Sequence, residues 1–329
     1  MMNAIVYDKR NKPDRLALRK VEKPLPGEKE VLVKIHAVSV NAADYRSLKM
    51  GIIPKRKIFG ADIAGWVEAV GEHTQLIRVG DKVLGDLSGI GFGGFAEYVT
   101  APEKVLTLKP AQVSFVDAAA LPMAAVTALQ GLRMMGNIQS GQKVLIHGAG
   151  GGVGTFAVQL ARHFGAEVTA VCSTRNIELV SSLGADQVID YTKEDFLKTG
   201  KRYDLIAVIN GKRSILDYRR ALTDSGVCVL VGGALSQLLA ITIFGGLLSI
   251  GSRKFRILAA KPNPEDLALI TDLVADGKIR PVIDKVFPFE ETAKAVRYLS
   301  DGNAQGKVVI LVAEENLRII PPSPTATRS

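Results

Sequence analysis

Cysteine and histidine are scarce in this chain of 329 residues, which has two Cys, four His and a single Trp. Cys172 and Cys228 each sit inside an apolar, strand-like run. That excludes a disulfide framework and points to buried thiols in a reducing compartment. His36, His73, His147 and His163 stand at unrelated spacings, so each reads as a structural or surface residue rather than a metal ligand. An apolar run of the roughly 20 residues needed to cross a bilayer is also missing. The longest candidate covers 238–250 and reads as a buried or substrate-facing helix. Arg253, Lys254 and Arg256 follow it and leave room for weak contact with a membrane surface. No apolar leader precedes the first strand pattern, Met1-Met2-Asn3-Ala4-Ile5-Val6, so a cytoplasmic protein is expected.

What is present is ordinary for a folded protein: 47% hydrophobic and 23% charged residues, in a chain long enough for two domains. The net charge of +9 favours anionic partners. Lys and Arg are nevertheless spread along the chain, which argues for a general attraction to anions and against a dedicated nucleic-acid surface.

One stretch organises the rest. The apolar strand Lys143-Val144-Leu145-Ile146-His147 enters Gly148-Ala149-Gly150-Gly151-Gly152-Val153-Gly154, and an apolar-periodic helix leaves it. Glycines at such a turn let a pyrophosphate approach the backbone without a Cβ in the way, and the free N–H groups of the helix start face the anion. A second strand, Val168–Cys172, follows at the distance the motif requires, so dinucleotide binding is expected.

Residues 1–110 read as β-rich, with strands at Val31–Val38, Ile63–Val70 and Phe95–Val99 separated by Gly and Pro. After Ser114, a plausible N-cap, an alanine-rich helical stretch runs to Met135 and must be interrupted at Pro122. Strands and helices then alternate. Leu205–Ile209 and Val227–Val231 are continuous apolar runs, as expected of strands covered on both faces of a doubly wound parallel sheet. Thr192 and Asp195 fit a capping box. Asn263-Pro264-Glu265 begins a helix that stops at Gly277, and a strand, a helix and a last strand at Val308–Leu311 follow. The Pro-rich tail, 313–329, reads as disordered.

In combination these segments resemble the medium-chain dehydrogenases/reductases, in the zinc-free, quinone-oxidoreductase-like branch. The resemblance rests on Asn41-Ala42-Ala43-Asp44, Phe59-Gly60-Ala61-Asp62-Ile63-Ala64-Gly65, Val79-Gly80-Asp81-Lys82-Val83 and Gly93-Gly94-Phe95-Ala96-Glu97-Tyr98. Ala118–Leu129, the glycine turn, Leu183-Gly184-Ala185-Asp186 and Gly306-Lys307-Val308-Val309 add to it. It implies an α/β protein with a Rossmann domain at 116–265 and a GroES-like β domain at 1–115, completed by about 266–312. The active site is expected in the cleft between them. Relatives pair the edges of their nucleotide-domain sheets, so a homodimer through the strand at Val227–Val231 and the segment after it is expected.

Zinc-dependent members of this family carry a Cys near position 41, a Gly-His-Glu, and a further Cys or His near the start of the interdomain helix. Here those places hold Asn41, Gly60-Ala61-Asp62 and Leu121-Pro122-Met123. A lone carboxylate does not hold zinc, and no metal is expected. Nicotinamide enzymes specific for NAD place an acid at the end of the second strand, roughly 20 residues past the glycines. This chain has Ser173-Thr174-Arg175 there. Arg175 offers a forked cation to a 2′-phosphate, with Ser173 beside it and Tyr191 from the next strand. NADPH is the expected cofactor, with Thr127, Ala149, Gly150, Gly151, Gly152, Val153 and Gly232 completing its site.

A site without a Lewis acid suits acceptors whose developing negative charge delocalises onto oxygen, which then needs only hydrogen-bond donors. The expected reaction is hydride transfer to a quinone or an α,β-unsaturated carbonyl. The family motif points to Asn41 and Tyr45 as the substrate wall; Asn41 also suits a turn, and Tyr45 also suits packing. A family tyrosine after the Asn-x-x-Asp segment has no counterpart, since Ile52 and Ile53 follow Gly51. Two other classes stay open on the same fold, an RNA-binding protein and an NADPH-sensing protein with little turnover.

Overall fold

The computed structural model describes residues 1–10, 15–211, 213–231 and 252–313. Gly232, the apolar stretch at 238–250 and all of the expected tail except Ala313 lie outside them.

The chain starts with β1 (Met2–Tyr7) and β2 (Leu16–Val21), an antiparallel pair. β3 (Glu30–Val40) leads into α1 (Ala42–Met50), followed by β4 (Asp62–Val70), β5 (Lys82–Asp86), β6 (Tyr98–Pro102) and β7 (Leu106–Leu108). At eleven residues, β3 is long enough to serve three partners. It pairs with β4 along one edge and with β6 over the first half of the other edge. The strand expected at Phe95–Val99 therefore forms later. Phe95 instead accepts a hydrogen bond from the Ile5 N–H at 2.8 Å, which fastens β1 to the sheet.

Pro122 does more than interrupt the alanine-rich stretch. A short α2 (Phe115–Ala119) is capped by Ser114, which accepts from the Asp117 N–H. Pro122 then opens a new helix, α3 (Pro122–Gln130), at its first position, where a missing N–H costs nothing. The small side chains have a use: Ala37, Ala64 and Leu84 of the first sheet share one core with Ala119, Leu121, Ala125 and Phe156. The two sheets thus approach closely through α2 and α3.

The nucleotide sheet is built from β8 (Lys143–His147), α4 (Gly152–His163), β9 (Glu167–Cys172), α5 (Ile177–Ser182), β10 (Gln187–Asp190), β11 (Tyr203–Val208), α6 (Ile215–Ala221), β12 (Leu222–Leu230) and β13 (Lys254–Ile257). All its pairs are parallel, in the order β10-β9-β8-β11-β12-β13. The order reverses between β8 and β11, so the binding crevice of a doubly wound sheet opens beyond the carboxyl ends of these two strands.

Two expectations need correction. The capping box at Thr192 is absent: Thr192 bonds back to Asp190, and Asp195 caps the short turn that follows by accepting from the Leu197 N–H. The strand at 227–231 is not an edge, because β12 is paired on both sides and β13 is outermost among the described residues.

The chain closes with α7 (Pro264–Ala275), β14 (Ile283–Pro288), α8 (Thr292–Ser300) and β15 (Lys307–Leu311). Asn263 caps α7 through the Asp266 N–H. β15 returns to the first sheet and pairs antiparallel with the second half of β3. Its first residues therefore lie between the two sheets. Among the described residues no helix is long and apolar enough to cross a membrane.

Candidate active site

The glycine turn leaves β8 through Gly148, whose φ of +97° suits glycine. The turn is held from behind by hydrogen bonds from the Gly148 and Ala149 N–H groups to the Val171 carbonyl, both 3.1 Å. Each glycine has its own reason. A Cβ on Gly154 would lie 2.2 Å from the Gly148 carbonyl oxygen, and one on Gly150 would lie 2.4 Å from the Asn176 amide. A Cβ on Gly151 would meet nothing nearer than 4.0 Å. Gly151, the N-cap of α4, thus presents bare backbone to open space at the positive end of a twelve-residue helix. The first N–H groups of this helix have no partner within the helix itself. This cradle fits a dinucleotide pyrophosphate.

Beyond β9, Ser173 is half-buried and its Oγ accepts from the Asn176 amide at 3.1 Å. Arg175 is exposed, and its guanidinium donates to the Gly302 carbonyl at 2.6 Å. Tyr191 is 56% exposed and lies beside them, its N–H donating to the Cys172 carbonyl at 3.0 Å. The nearby acid, Asp190, is engaged: its carboxylate accepts from the hydroxyls of Thr174 at 2.6 Å and Thr192 at 2.7 Å. A groove of about 470 Å³ lined by Tyr191, Thr192, Lys193, Glu194, Asp195, Lys198 and Arg213 opens at this end, with Arg213 paired to Asp195 at 3.1 Å. Its cations come from two segments, Lys193 and Lys198 from one and Arg213 from the other.

A polar, buried cluster lies where α1, β4 and the start of β15 meet. Asn41 is the N-cap of α1. Its Nδ2 donates to Asp62 Oδ2 at 2.8 Å, and its Oδ1 accepts from Lys307 Nζ at 2.6 Å. Asp62 also accepts from Ser39 Oγ at 2.8 Å and from the Met123 N–H at 3.0 Å. Lys307 Nζ lies 3.5 Å from Asp62, with side chains 3% and 0% exposed. Asp44 accepts from the backbone N–H groups of Asn41 at 2.8 Å and Gly60 at 3.0 Å. Burial dominates the titration of this group. It pushes Asp44 up to about 7 and Asp62 to about 6, raises Asp86, and lowers Lys307.

Sequence reasoning missed Lys307 as a site residue, although Gly306-Lys307-Val308-Val309 was visible as a motif. What it lacked was the partner, 266 positions away. Tyr45 stands apart from this centre. It is half-buried against the apolar cluster of the first sheet, with Arg46 and Lys49 near its ring. Thr127 is buried on α3.

Residues 27–111 match the alcohol dehydrogenase GroES-like domain, and residues 183–310 match the zinc-binding dehydrogenase domain. The chain is 36% identical to the 2-methylene-furan-3-one reductase of Solanum lycopersicum, over 86% of this chain and 72% of that protein. It is 34% identical to the NADPH-dependent alkenal/one oxidoreductase of Arabidopsis thaliana, over 94% and 79%. The solved quinone oxidoreductase of Coxiella burnetii superposes with a TM-score of 0.85 at 31% identity, covering 95% of this chain and 99% of that one. The chain belongs to the medium-chain dehydrogenase/reductase superfamily.

As a member of that superfamily, the protein is an oxidoreductase that binds a nicotinamide cofactor. The positions at which zinc-dependent members place metal ligands carry Asn41 and Asp62, already committed to Lys307, Ser39 and the Met123 N–H. Among the described residues, no group of three His, Cys, Asp or Glu is arranged to hold a metal ion. Two of the histidines have plain structural roles. His147 is buried with Nδ1 2.9 Å from the Tyr218 hydroxyl, and burial pushes it down to about 4. His36 stacks on Phe115 with ring centroids 4.5 Å apart.

Proposed function

We propose that this protein is an NADPH-dependent, zinc-independent reductase of quinones or α,β-unsaturated carbonyls. The observation that carries this reading is the cleft centre. Where a zinc enzyme would need a Lewis acid, the chain supplies an asparagine amide clamped between an ammonium and a carboxylate. Such a site has hydrogen-bond donors for a delocalised oxyanion and no ligand set to polarise an alcohol.

The cofactor, when bound, supplies the hydride. Everything else falls to the chain. Gly150, Gly151, Gly152 and the start of α4 would hold the pyrophosphate. Ser173, Arg175 and Tyr191 would take the adenosine end, where Asp190 is already occupied by Thr174 and Thr192. That occupation, with Arg175 near, favours the 2′-phosphate. Asn41 offers its amide N–H to the acceptor oxygen, and the apolar shell of α2 and α3 excludes water.

The names of the relatives support both acceptor classes, an alkenal/one and a furanone on one side and a quinone on the other. On this reading residues 1–115 with 266–312 form the substrate domain and 116–265 the nucleotide domain. Steady-state NADPH oxidation against a panel of quinones and enones tests it. The reading requires turnover with at least one class, and none with either would refute it.

A further inference from the structure

Lys307 is the first residue of β15, and it touches both halves of the cleft. Its ammonium is 2.6 Å from Asn41 Oδ1. Its stem lies against the glycine turn, so closely that a Cβ on Gly152 would fall 2.9 Å from Lys307 Cδ. The preceding residue is fastened to the same turn, since the Gly306 N–H donates to the Gly150 carbonyl at 3.1 Å and Gly306 forms a parallel bridge with Gly151.

An asparagine amide can sit either way round unless its partners forbid one orientation. Here they do. An ammonium only donates and a carboxylate only accepts, so Lys307 at Oδ1 and Asp62 at Nδ2 both demand the same orientation. Flipping the amide would face N–H to ammonium and carbonyl to carboxylate. The second Nδ2 hydrogen is held only weakly, by the Ser39 carbonyl at 3.5 Å. At that length it can yield to a better acceptor.

We propose that Lys307 is a positioning residue of the acceptor site: it locks the Asn41 amide with one N–H facing the acceptor and joins that lock to the glycine turn. This rests on the reading of the cleft as a reductase's acceptor site. Lys307 touches neither the acceptor nor the reacting carbon and acts through Asn41. Burial lowers Lys307, and the carboxylates of Asp62, Asp44 and Asp86 oppose that by favouring its charged form.

The alternative is that Lys307 merely neutralises Asp62, and two variants separate the roles. Lys307→Met removes the lock and strands a buried carboxylate. Lys307→Met with Asp62→Asn removes the lock and leaves no net charge behind; this double variant carries the test where the single one does not fold. With NADPH saturating, the inference expects acceptor kcat to fall about tenfold or more in both variants, by analogy with loss of one oriented donor. The Kd for NADPH, from nicotinamide fluorescence, should stay within about threefold, and the thermal midpoint should recover in the double variant. Adding Asn41→Ala to Lys307→Met should cause no further loss of kcat, because the two act as one unit. Recovery of kcat together with stability in the double variant, or losses that multiply with Asn41→Ala, would overturn it.

A readout independent of turnover keeps this apart from the reductase reading. The Asn41 side-chain NH2 resonances, assigned by their disappearance in Asn41→Ala, should be protected from solvent exchange in the wild type and lose protection in the double variant. Unchanged protection would overturn the lock. Absence of turnover in the wild type would refute only the reductase reading.

Discussion

The guanidinium of Arg175 donates to the Gly302 carbonyl at 2.6 Å, and Gln305 closes the same contact by donating to the Arg175 carbonyl at 2.7 Å. The loop after β9 is thereby tied to the turn before β15, and the side chain proposed to read a 2′-phosphate has a neutral partner to leave. A phosphate is the stronger acceptor. After solvent screening and that exchange, a net preference of about 1–2 kcal/mol remains. Arg175→Ala should weaken NADPH by about tenfold and leave NADH nearly unchanged, as read by fluorescence titration with each. Ser173→Asp should go further by adding a carboxylate that repels the phosphate. Equal losses for both cofactors would mean that Arg175 only holds the two loops together.

The glycine turn separates folding from binding within four residues. Gly154→Ala places a methyl against the Gly148 carbonyl and should lower stability by about 1–3 kcal/mol. Gly151→Ala meets open space, so its thermal midpoint should match the wild type while NADPH binding weakens by tenfold or more on the order of one blocked backbone contact. Normal cofactor affinity in Gly151→Ala would place the pyrophosphate elsewhere.

Asp44 sets a pH dependence of stability. Burial raises it in the folded protein from 3.8 to about 7. Between these values the unfolded chain loses its proton while the folded one retains it, so this group makes stability fall as pH rises. Below the lower value it contributes no slope. Chemical denaturation from pH 4 to pH 7 should show this negative contribution in the wild type. Asp44→Asn should lack it while being less stable throughout, since one amide oxygen cannot accept from both the Asn41 and Gly60 N–H groups. The same slope in both proteins would contradict the assignment.

The glycine turn, the parallel strands and the helix stops at Gly184 and Gly277 were legible because each is a local pattern: an apolar run, then a residue that tolerates positive φ. The cleft centre was legible only in part. Asn41 was found by its motif, but Lys307 and Asp44 came to light through contacts between segments far apart in the chain, which no local pattern reveals. Strand edges failed for the same reason. Nothing within 227–231 says that Lys254–Ile257 lies outside it.

That outermost strand also bears on assembly. β13 exposes an unpaired side among the described residues, and such edges invite pairing. A homodimer is the expected state, and light scattering at micromolar concentration should return twice the chain mass. Ile257→Pro should shift it toward monomer by removing an edge donor, because the next N–H, that of Leu258, donates to the Leu230 carbonyl of β12 and the Ile257 N–H faces the open side. A monomeric wild type would contradict the expectation.

Reduction of a conjugated acceptor without metal can be tested in one assay. The protein is dialysed against a strong chelator and its zinc content measured. NADPH oxidation is then followed with quinones and enones, and the products are identified. Well under one zinc per chain, undiminished activity, and a hydroquinone or a saturated carbonyl as product are expected. Activity that disappears with the metal and returns with added zinc would contradict metal-free reduction.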